Sequence, residues 1–337
     1  MNPSRSAPAA EQPGIQSLRK GLVTVGIVLW NSAGDLPACL AGIAAQEYPQ
    51  IEVVAVDNRS ADDSVRIVRE SFPAARILRN TENLGYGAAH NQAIRSSRGE
   101  FYLPLNPDVR WQPGFLARLV RALEQRPELG SAVGKILQSP DQDPPRIDST
   151  GLFIDRRRHQ YLRGYGEPDR GQYDRAGDIF GADGASPLHR REMLEDVSIG
   201  GEYFDPQHFM YMEDVDLAWR ARLCGWRTWF DPDALAWHGR AFKPGNRRAM
   251  PPDLRRLAVK NRYLTILKNE STAGWRRDWW RILSYDLLIW GYILLCEQSS
   301  FGALGLLRTQ WPAIRRWRSE LAAKVKAGLT EQLRWFV

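Results

Sequence analysis

The sequence predicts an α/β fold with a doubly wound parallel sheet over residues 21–137. Three observations predict it. Short apolar, β-branched runs recur along this stretch, amphipathic helical segments alternate with them, and three of the runs stop at Asn or Asp. Strand–helix alternation of this kind gives parallel strands joined by right-handed crossovers.

Residues 22–30, LVTVGIVLW, are continuously apolar, as a strand buried on both faces requires, and Asn31 closes the run. Residues 35–46 read as an amphipathic helix. IEVVAV at 51–56 is the second strand and ends in Asp57-Asn58. Residues 62–72 form the second helix, with Val65 and Val68 at helical spacing. A short third strand at 75–78 and a third helix at 86–96 follow. The fourth strand is 101–105, and a fourth helix spans 113–125, with Pro113 suited to its first turn.

Asn106-Pro107-Asp108 stops the fourth strand, because Pro107 has a fixed φ and no N–H. Asp108 is thus presented at a strand's carboxyl end, where open α/β sheets place their ligands. A carboxylate there is a hard oxygen donor suited to Mg²⁺ or Mn²⁺ beside substrate phosphates. On those residues alone, an ordinary turn is the simpler reading.

The second half changes character. Residues 131–137 read as a strand, 139–145 as a Pro/Asp loop, and 147–166 as short β-like runs around a charged turn at 156–159. Residues 179–194 read as a strand, a Gly-containing loop at 181–184 and a helix. RTWFDPDALAWH at 227–238 reads as two short strands around an Asp-Pro turn. Beyond residue 254 the pattern is helical, with an amphipathic basic helix at 255–268. The apolar run 282–296 is interrupted by Asp286 and Gly291 and falls short of the ~20 residues a spanning helix needs. The chain therefore divides into a lead-in at 1–20, expected to be disordered, a catalytic domain at 21–240 with halves at 21–137 and 138–240, and a basic helical region at 241–337.

Composition narrows the function. The three cysteines are far apart, which excludes a disulfide framework or a Cys-rich zinc site and fits a reducing, cytoplasmic setting. Of the 46 Lys+Arg and 39 Asp+Glu, residues 240–337 hold 19 and 7, leaving 27 and 32 for the rest. The basic excess belongs to the C-terminal region. Trp311, Arg315, Arg316, Trp317, Arg318 and Trp335 there suit the lipid headgroup level. The expected partner is an inner-leaflet membrane surface, with packing on the catalytic domain as the alternative. No nucleic-acid reader motif is present, so nucleic acid is not an expected partner. Neither G-x-G-x-x-G nor a P-loop occurs, which disfavours a nicotinamide oxidoreductase.

A helix opening near Asp214 would place Leu217, Ala218 and Ala221 on the Asp214 face, so that carboxylate points inward. Asp216 and Arg220 form an i, i+4 pair that reads as structural. Glu213 reads as helix-start chemistry, and Asp214 as a general base near an acceptor hydroxyl. His238, ending an aromatic run, could complete a divalent site with Asp108, although spacing alone does not establish the contact.

VGIVLWN, VDNRSADDS, NLGYGAAHNQAI, LNPDV and FMYMEDVDLAWRARLCGW followed by AWH stand in this order. Together they resemble glycosyltransferase family 2, nearest its rhamnosyltransferase-like branch. The resemblance spans 23–238 and extends weakly through KNRYLTILKN. It implies a GT-A fold with a mixed sheet and an inverting transfer from a nucleotide-diphosphate sugar, dTDP- or UDP-linked. It implies that Asp57 meets the pyrimidine and that Asn31, Asn58, Asn83, Gly85, Asn91 and Asn106 belong to the donor site. Asp108 and His238 would hold Mg²⁺ or Mn²⁺, and Asp214 would be the base. Gly181, Ala182, Gly200, Gly201, Glu213 and Trp219 would line the sugar and acceptor region. Asn106 departs from the Asp of many relatives and removes one negative charge. Asp183 stands where a small apolar residue is expected. The expected activity is L-rhamnosyl transfer from dTDP-L-rhamnose to a glycan or lipid-linked acceptor in surface polysaccharide synthesis, peripheral on the cytoplasmic membrane. Homodimerisation is left open. The rival reading is a catalytically degenerate scaffold that binds nucleotide sugars.

Overall fold

The computed structural model describes residues 17–240, 247 and 250–337. Most of the expected lead-in at 1–20, and most of 241–249, lie outside the described residues. The strands β1 (Arg19–Leu29), β2 (Ile51–Asp57), β3 (Arg76–Arg79) and β4 (Gly99–Leu105) alternate with α1 (Leu36–Ala44), α2 (Ser64–Ser71) and α3 (Tyr86–Arg95). β1 pairs in parallel with β2 on one side and β4 on the other, and β2 with β3. Then follow β5 (Val109–Trp111), α4 (Phe115–Gln125) and β6 (Leu129–Leu137). Gly114 is the residue before α4, so Pro113 sits just outside that helix rather than in its first turn.

β7 (Ile147–Ser149), the hairpin strands β8 (Leu152–Ile154) and β9 (Gln160–Leu162), β10 (Gly177–Ile179) and β11 (Leu188–Arg190) lead to α5 (Arg191–Val197) and α6 (Glu213–Leu223). β12 (Arg227–His238) completes a ten-stranded sheet in the order β10-β12-β6-β11-β4-β1-β2-β3, with β5 and β7 beside β12 and β6. The sheet is mixed rather than parallel throughout. β11 runs antiparallel between β4 and β6. It is entered from the loop after β10 without a crossover helix, so nothing imposes a parallel direction on it. β12 is one strand, not two. Its register on β6 shifts between Asp231 and Leu235, so the Asp-Pro turn becomes a bulge that absorbs the missing Pro232 N–H.

Alternation along the central strands explains the layering. Val23, Val25, Ile27 and Leu29 face a core with α1, α2 and α4, whereas Val54, Val56 and Tyr102 face a second core with α3, α5 and α6. Gly26 is required beneath Tyr102, because a Cβ there would lie 2.0 Å from the phenol oxygen. That hydroxyl pairs with the buried His90 ring at 2.7 Å, tying α3 to the sheet.

The C-terminal helices are α7 (Pro252–Asn269), α8 (Thr272–Cys296), α9 (Gly302–Lys324) and α10 (Leu329–Arg334). They pack on the sheet rather than apart from it, since Trp317 and Leu321 of α9 and Phe336 after α10 join the second core. Several basic residues of α7 are buried. Lys268 pairs with Asp205, Asn269 donates to Asp216 at 2.7 Å, and Arg262 donates to the carbonyls of Arg158 and Arg157. Asp216 also holds Arg220 at 2.8 Å, the expected structural pair. These buried charges survive because each has a partner. Burial pushes the Asp205 carboxyl up, but His208 and Lys268 outweigh it and hold it far below its ordinary value.

Breaking one of these pairs tests the weld. Lys268→Met leaves Asp205 without its ammonium and should cost about 3–5 kcal/mol in chemical denaturation. A loss below about 1 kcal/mol, typical of an exposed pair, would contradict it.

Candidate active site

The carboxyl ends of β1, β2 and β3 form one edge, since Leu29 is opposite Asp57 and Asp57 opposite Arg79. Asn31 has φ +54° there, and its side chain accepts the Ala61 N–H at 2.8 Å, joining the loops after β1 and β2. Asp57 is buried and accepts the Ser60 N–H at 2.8 Å, with Arg79 at 3.5 Å. Asn58 donates to the Asn83 side chain and to the Gly85 carbonyl, both at 3.2 Å. Asn83 in turn accepts the Gly85 N–H at 2.9 Å. Gly85 has φ +83°, and a Cβ there would lie 2.3 Å from the Phe209 carbonyl. The structure therefore brings Asn31, Asp57, Asn58, Asn83 and Gly85 to one edge and shapes it with their side chains.

β5 pairs antiparallel with the end of β12, placing Val109 opposite His238. Asp108, one residue earlier, has an Oδ1 at 3.2 Å from His238 Nε2. His238 Nδ1 is 3.1 Å from Asp148, and Asp148 also accepts from Arg240 at 2.7 Å. Burial pushes the His238 ring down, but the hydrogen bonds of Asp108 and Asp148 prevail and hold it up at about 9. For Asp108, burial acts upward, and the bond and charge of His238 leave it below its ordinary value. Arg240 is also close enough to Asp183 and Asp108 for their charges to favour its cationic form. Once His238 Nε2 gives up its proton, Asp108 and His238 offer an oxygen and a nitrogen 3.2 Å apart, with the Asp148 carboxylate behind the ring, as metal-binding histidines commonly have. This donor set fits Mg²⁺ or Mn²⁺ completed by phosphate oxygens.

The loop 183–185 links this group to Asp214. The Asn106 N–H donates to the Ala185 carbonyl at 3.0 Å, and the Gly184 N–H donates to Asp214 Oδ2 at 3.0 Å. Tyr86 donates from its hydroxyl to the Gly184 carbonyl at 2.7 Å. Asp214 is the second residue of α6 and remains partly open to solvent, on the face of Leu217, Ala218 and Ala221. Burial raises its pKa, the Asp183 charge adds to this, and the N–H groups of Val215 and Gly184 oppose it. Asp183 accepts from Ser149 at 2.5 Å. A cavity of about 150 Å³ lies beside Asp108, lined in part by Asp35, Arg110, Gln138 and Gly239.

Backbone strain precedes Asp214. Phe209, Tyr211 and Met212 have φ of 63°, 70° and 70°. Such values cost L-residues of order 1–3 kcal/mol each and persist only where surroundings enforce them. Asn261 of α7 enforces them here, donating to the carbonyls of His208, Met210 and Tyr211.

Four expected site residues are not brought to this group. Asn91 is buried and spent on Glu202 and on both backbone groups of Phe204. Trp219 packs on Phe336, away from the cleft. Gly200 and Gly201 are exposed, and Gly201 lies beside Arg95, at the far end of α3 from Tyr86. Gly181 and Ala182 sit beneath the loop, where a Gly181 Cβ would lie 2.3 Å from that of Ala218. Asp148 and Arg240 were missed by sequence reasoning. A signal was available: Asp148 is an acid inside an otherwise uncharged β-like run, and Arg240 follows His238 by two residues. Asp205, His208 and Asp216 also place ligand atoms within 4.8 Å of one another. Lys268, Asn269 and Arg220 hold the two carboxylates and Thr265 pairs with His208 Nε2, whereas the buried His208 Nδ1 has no hydrogen-bond partner, 3.1 Å from Asp205.

The family model described as Glycosyl transferase family 2 matches residues 24–197. The chain is 27% identical over 278 residues to the N-acetylglucosaminyl-diphospho-decaprenol L-rhamnosyltransferase of Mycobacterium tuberculosis, covering 76% of this chain and 87% of that one. It is similar in fold to S. aureus TarS 1-349 in complex with UDP-GlcNAc, with a TM-score of 0.57 and 17% identity over 90% of this chain and 91% of that one. The mannosyltransferase PcManGT from Pyrobaculum calidifontis, in complex with GDP-Man and Mn²⁺, has a TM-score of 0.51 and 20% identity over 90% and 84%. These likenesses show the GT-A fold.

The Glu213 carboxyl, beside Asp214, is pushed up from 4.5 to about 8, first by burial and then by the Asp214 charge. A proton held more tightly in the fold than in the open chain means stability falls as pH rises from about 4.5 toward about 8. Glu213→Gln removes that slope. The variant should melt with wild type near pH 5 and above it near pH 8. The same difference at both pH values would contradict this.

Proposed function

Because the chain belongs to glycosyl transferase family 2 and is a glycosyltransferase of GT-A fold, we propose that it performs an inverting, divalent-metal-dependent sugar transfer. The donor is a pyrimidine nucleotide-diphosphate sugar, dTDP-L-rhamnose. The acceptor is a lipid-linked diphospho-sugar of cell-wall polysaccharide synthesis, met at the cytoplasmic face of a membrane. The observation that carries this reading is the loop 183–185, which binds Asn106 through one backbone group and Asp214 through another. It joins the metal-side edge to a partly open carboxylate.

Asp57 and Asn31 hold the nucleoside end, with Asn58, Asn83 and Gly85 fixing the loop that borders it. Asn106 and Asp108 face the diphosphate. Asp108 and His238 would hold the ion, and Asp148 orients the His238 ring. Mg²⁺ or Mn²⁺, when bound there, would supply Lewis-acid stabilisation of charge on the departing nucleoside diphosphate. Arg240 adds a fixed positive charge on the same side. Asp214 accepts the proton of the acceptor hydroxyl as that oxygen attacks the anomeric carbon from the face opposite the diphosphate. Its raised pKa makes it the stronger base, and the Gly184 N–H sets the direction of one of its oxygens. Inversion in one displacement needs no second nucleophilic carboxylate. The rhamnosyl donor and the prenol-linked acceptor are carried over from the M. tuberculosis relative's name.

The test separates binding from chemistry. Asp214→Asn should lower transfer from dTDP-L-rhamnose by about 10²–10⁴-fold, while calorimetry with Mn²⁺ finds donor affinity unchanged. Equal loss of both would remove the base assignment. Failure of wild type to turn over any dTDP- or UDP-sugar, with or without the ion, would favour a binding scaffold.

A further inference from the structure

The turn between α8 and α9 carries an apolar tip that nothing in the described fold covers. Leu287, Leu288, Leu294 and Leu295 on α8, and Phe301 and Leu304 beyond the turn, are all exposed, Leu288 by 72% and Leu295 by 81%. Leu283, Leu287 and Leu294 form one exposed stripe of α8 and Leu288 and Leu295 a second beside it, while Ile282 and Ile293 on the remaining side are buried. Contiguous apolar surface of this kind marks a binding face. Between Arg281 and Arg308 the only charged residues are Asp286 and Glu297. Neither leaves a free charge on the tip, since Asp286 pairs with Arg262 at 2.9 Å and Glu297 with Arg247 at 2.6 Å.

Cations and tryptophans border the tip. Arg276 precedes it on α8, and Arg308, Arg315 and Arg316 follow along α9, all exposed. Trp279, Trp280 and Trp311 are exposed beside them, with the Arg281 guanidinium 4.5 Å above the Trp280 ring. No helix among the described residues is long and apolar enough to cross a membrane. We infer that the exposed apolar side of α8 and of the α8–α9 turn lies along the surface of an anionic phospholipid bilayer, sunk into one leaflet, with the flanking Trp and Arg at the headgroups. Burial of about 5–10 Å at the headgroup–acyl boundary is the depth such faces reach.

Charge selects lipid over a second copy of the chain. Two-fold pairing of this face would press one ring of arginines on another with no acid between them. Position supports the same occupant. Arg255, in the first turns of α7, is 3.6 Å from Glu297 at the tip's turn. About 9 Å further along that helix, Asn261 holds the strained backbone leading to Asp214. A leaflet at the tip therefore lies near the mouth where a lipid-linked acceptor would enter. The inference deepens the reading of a membrane-borne acceptor but is tested without sugar transfer.

The experiment is flotation of the full chain with phosphatidylcholine vesicles, with and without about a third phosphatidylglycerol. Wild type should float with the anionic vesicles and keep part of that binding in high salt, because the inserted leucines are not screened. Leu288→Glu with Leu295→Glu should cut flotation at least about tenfold with an unchanged melting temperature. Arg315→Ser with Arg316→Ser should weaken the preference for anionic vesicles and leave the salt-resistant part. Flotation of the leucine variant equal to wild type, or no flotation of wild type at low salt, overturns the inference. So does a lipid-free dimer that the leucine variant dissolves while flotation is unchanged. Wild type that floats yet turns over no donor leaves this inference standing and removes the transfer reading instead.

Discussion

Four carboxylates, those of Asp108, Asp148, Asp183 and Asp214, gather at the carboxyl edge of the sheet around one imidazole and one guanidinium. Like charges at this separation in a partly dry cleft repel, so the arrangement persists only where cations and N–H groups meet them. His238 bridges Asp108 and Asp148, Arg240 reaches Asp148 and feels Asp183 and Asp108, and the Gly184 N–H takes Asp214. Much of the fold near the edge can be read as the means of holding this set. β5 is laid antiparallel on β12 so that Asp108 meets His238, and β7 brings Asp148 and Ser149 beneath the loop that carries Asp183.

The C-terminal helices contribute to the same end from outside the sheet. α7 inserts Lys268 and Asn269 among buried acids and clamps three carbonyls with Asn261. The clamp holds Tyr211 and Met212 in the left-handed region, and the next residues are Glu213 and Asp214. Strain at that point is a cost the chain sustains because helix α7 is itself welded by buried ion pairs. Arg158, fully buried against Glu270 and Asp278, extends the weld to α8. The helices α7 to α10 thus have one side packed on the sheet's second layer and another left apolar.

How far the sequence revealed this differs by residue type. Strands β1, β2 and β4 were legible because continuous β-branched runs leave little alternative, and the terminating Asn or Asp marked the edge. The direction of Asp214 was legible from helical spacing, since small apolar residues at i+3, i+4 and i+7 share its face. The parallel pattern hid β11, a three-residue antiparallel strand whose direction depends on a long-range pairing that periodicity does not encode. Asn91 and Trp219 match the family pattern, but each is spent on packing that only the tertiary arrangement reveals. Asp148 stood out locally as a lone acid in a short β-like run, but its role depends on a partner ninety residues away, which the run itself does not encode. The basic helix was legible as a helix, but local charge spacing does not distinguish a cation facing water from one facing buried acids such as Asp205.

The central claim is that one cleft holds ion, diphosphate and base in the order set by Asp108, His238 and Asp214. Anomalous diffraction from crystals grown with Mn²⁺ and a nucleotide-diphosphate sugar tests it most directly. The account predicts a manganese peak between Asp108 and His238, with the sugar lying between that peak and the Asp214 carboxylate. A peak at Asp205, His208 and Asp216 instead, or a sugar bound on a face that Asp214 does not reach, would contradict it.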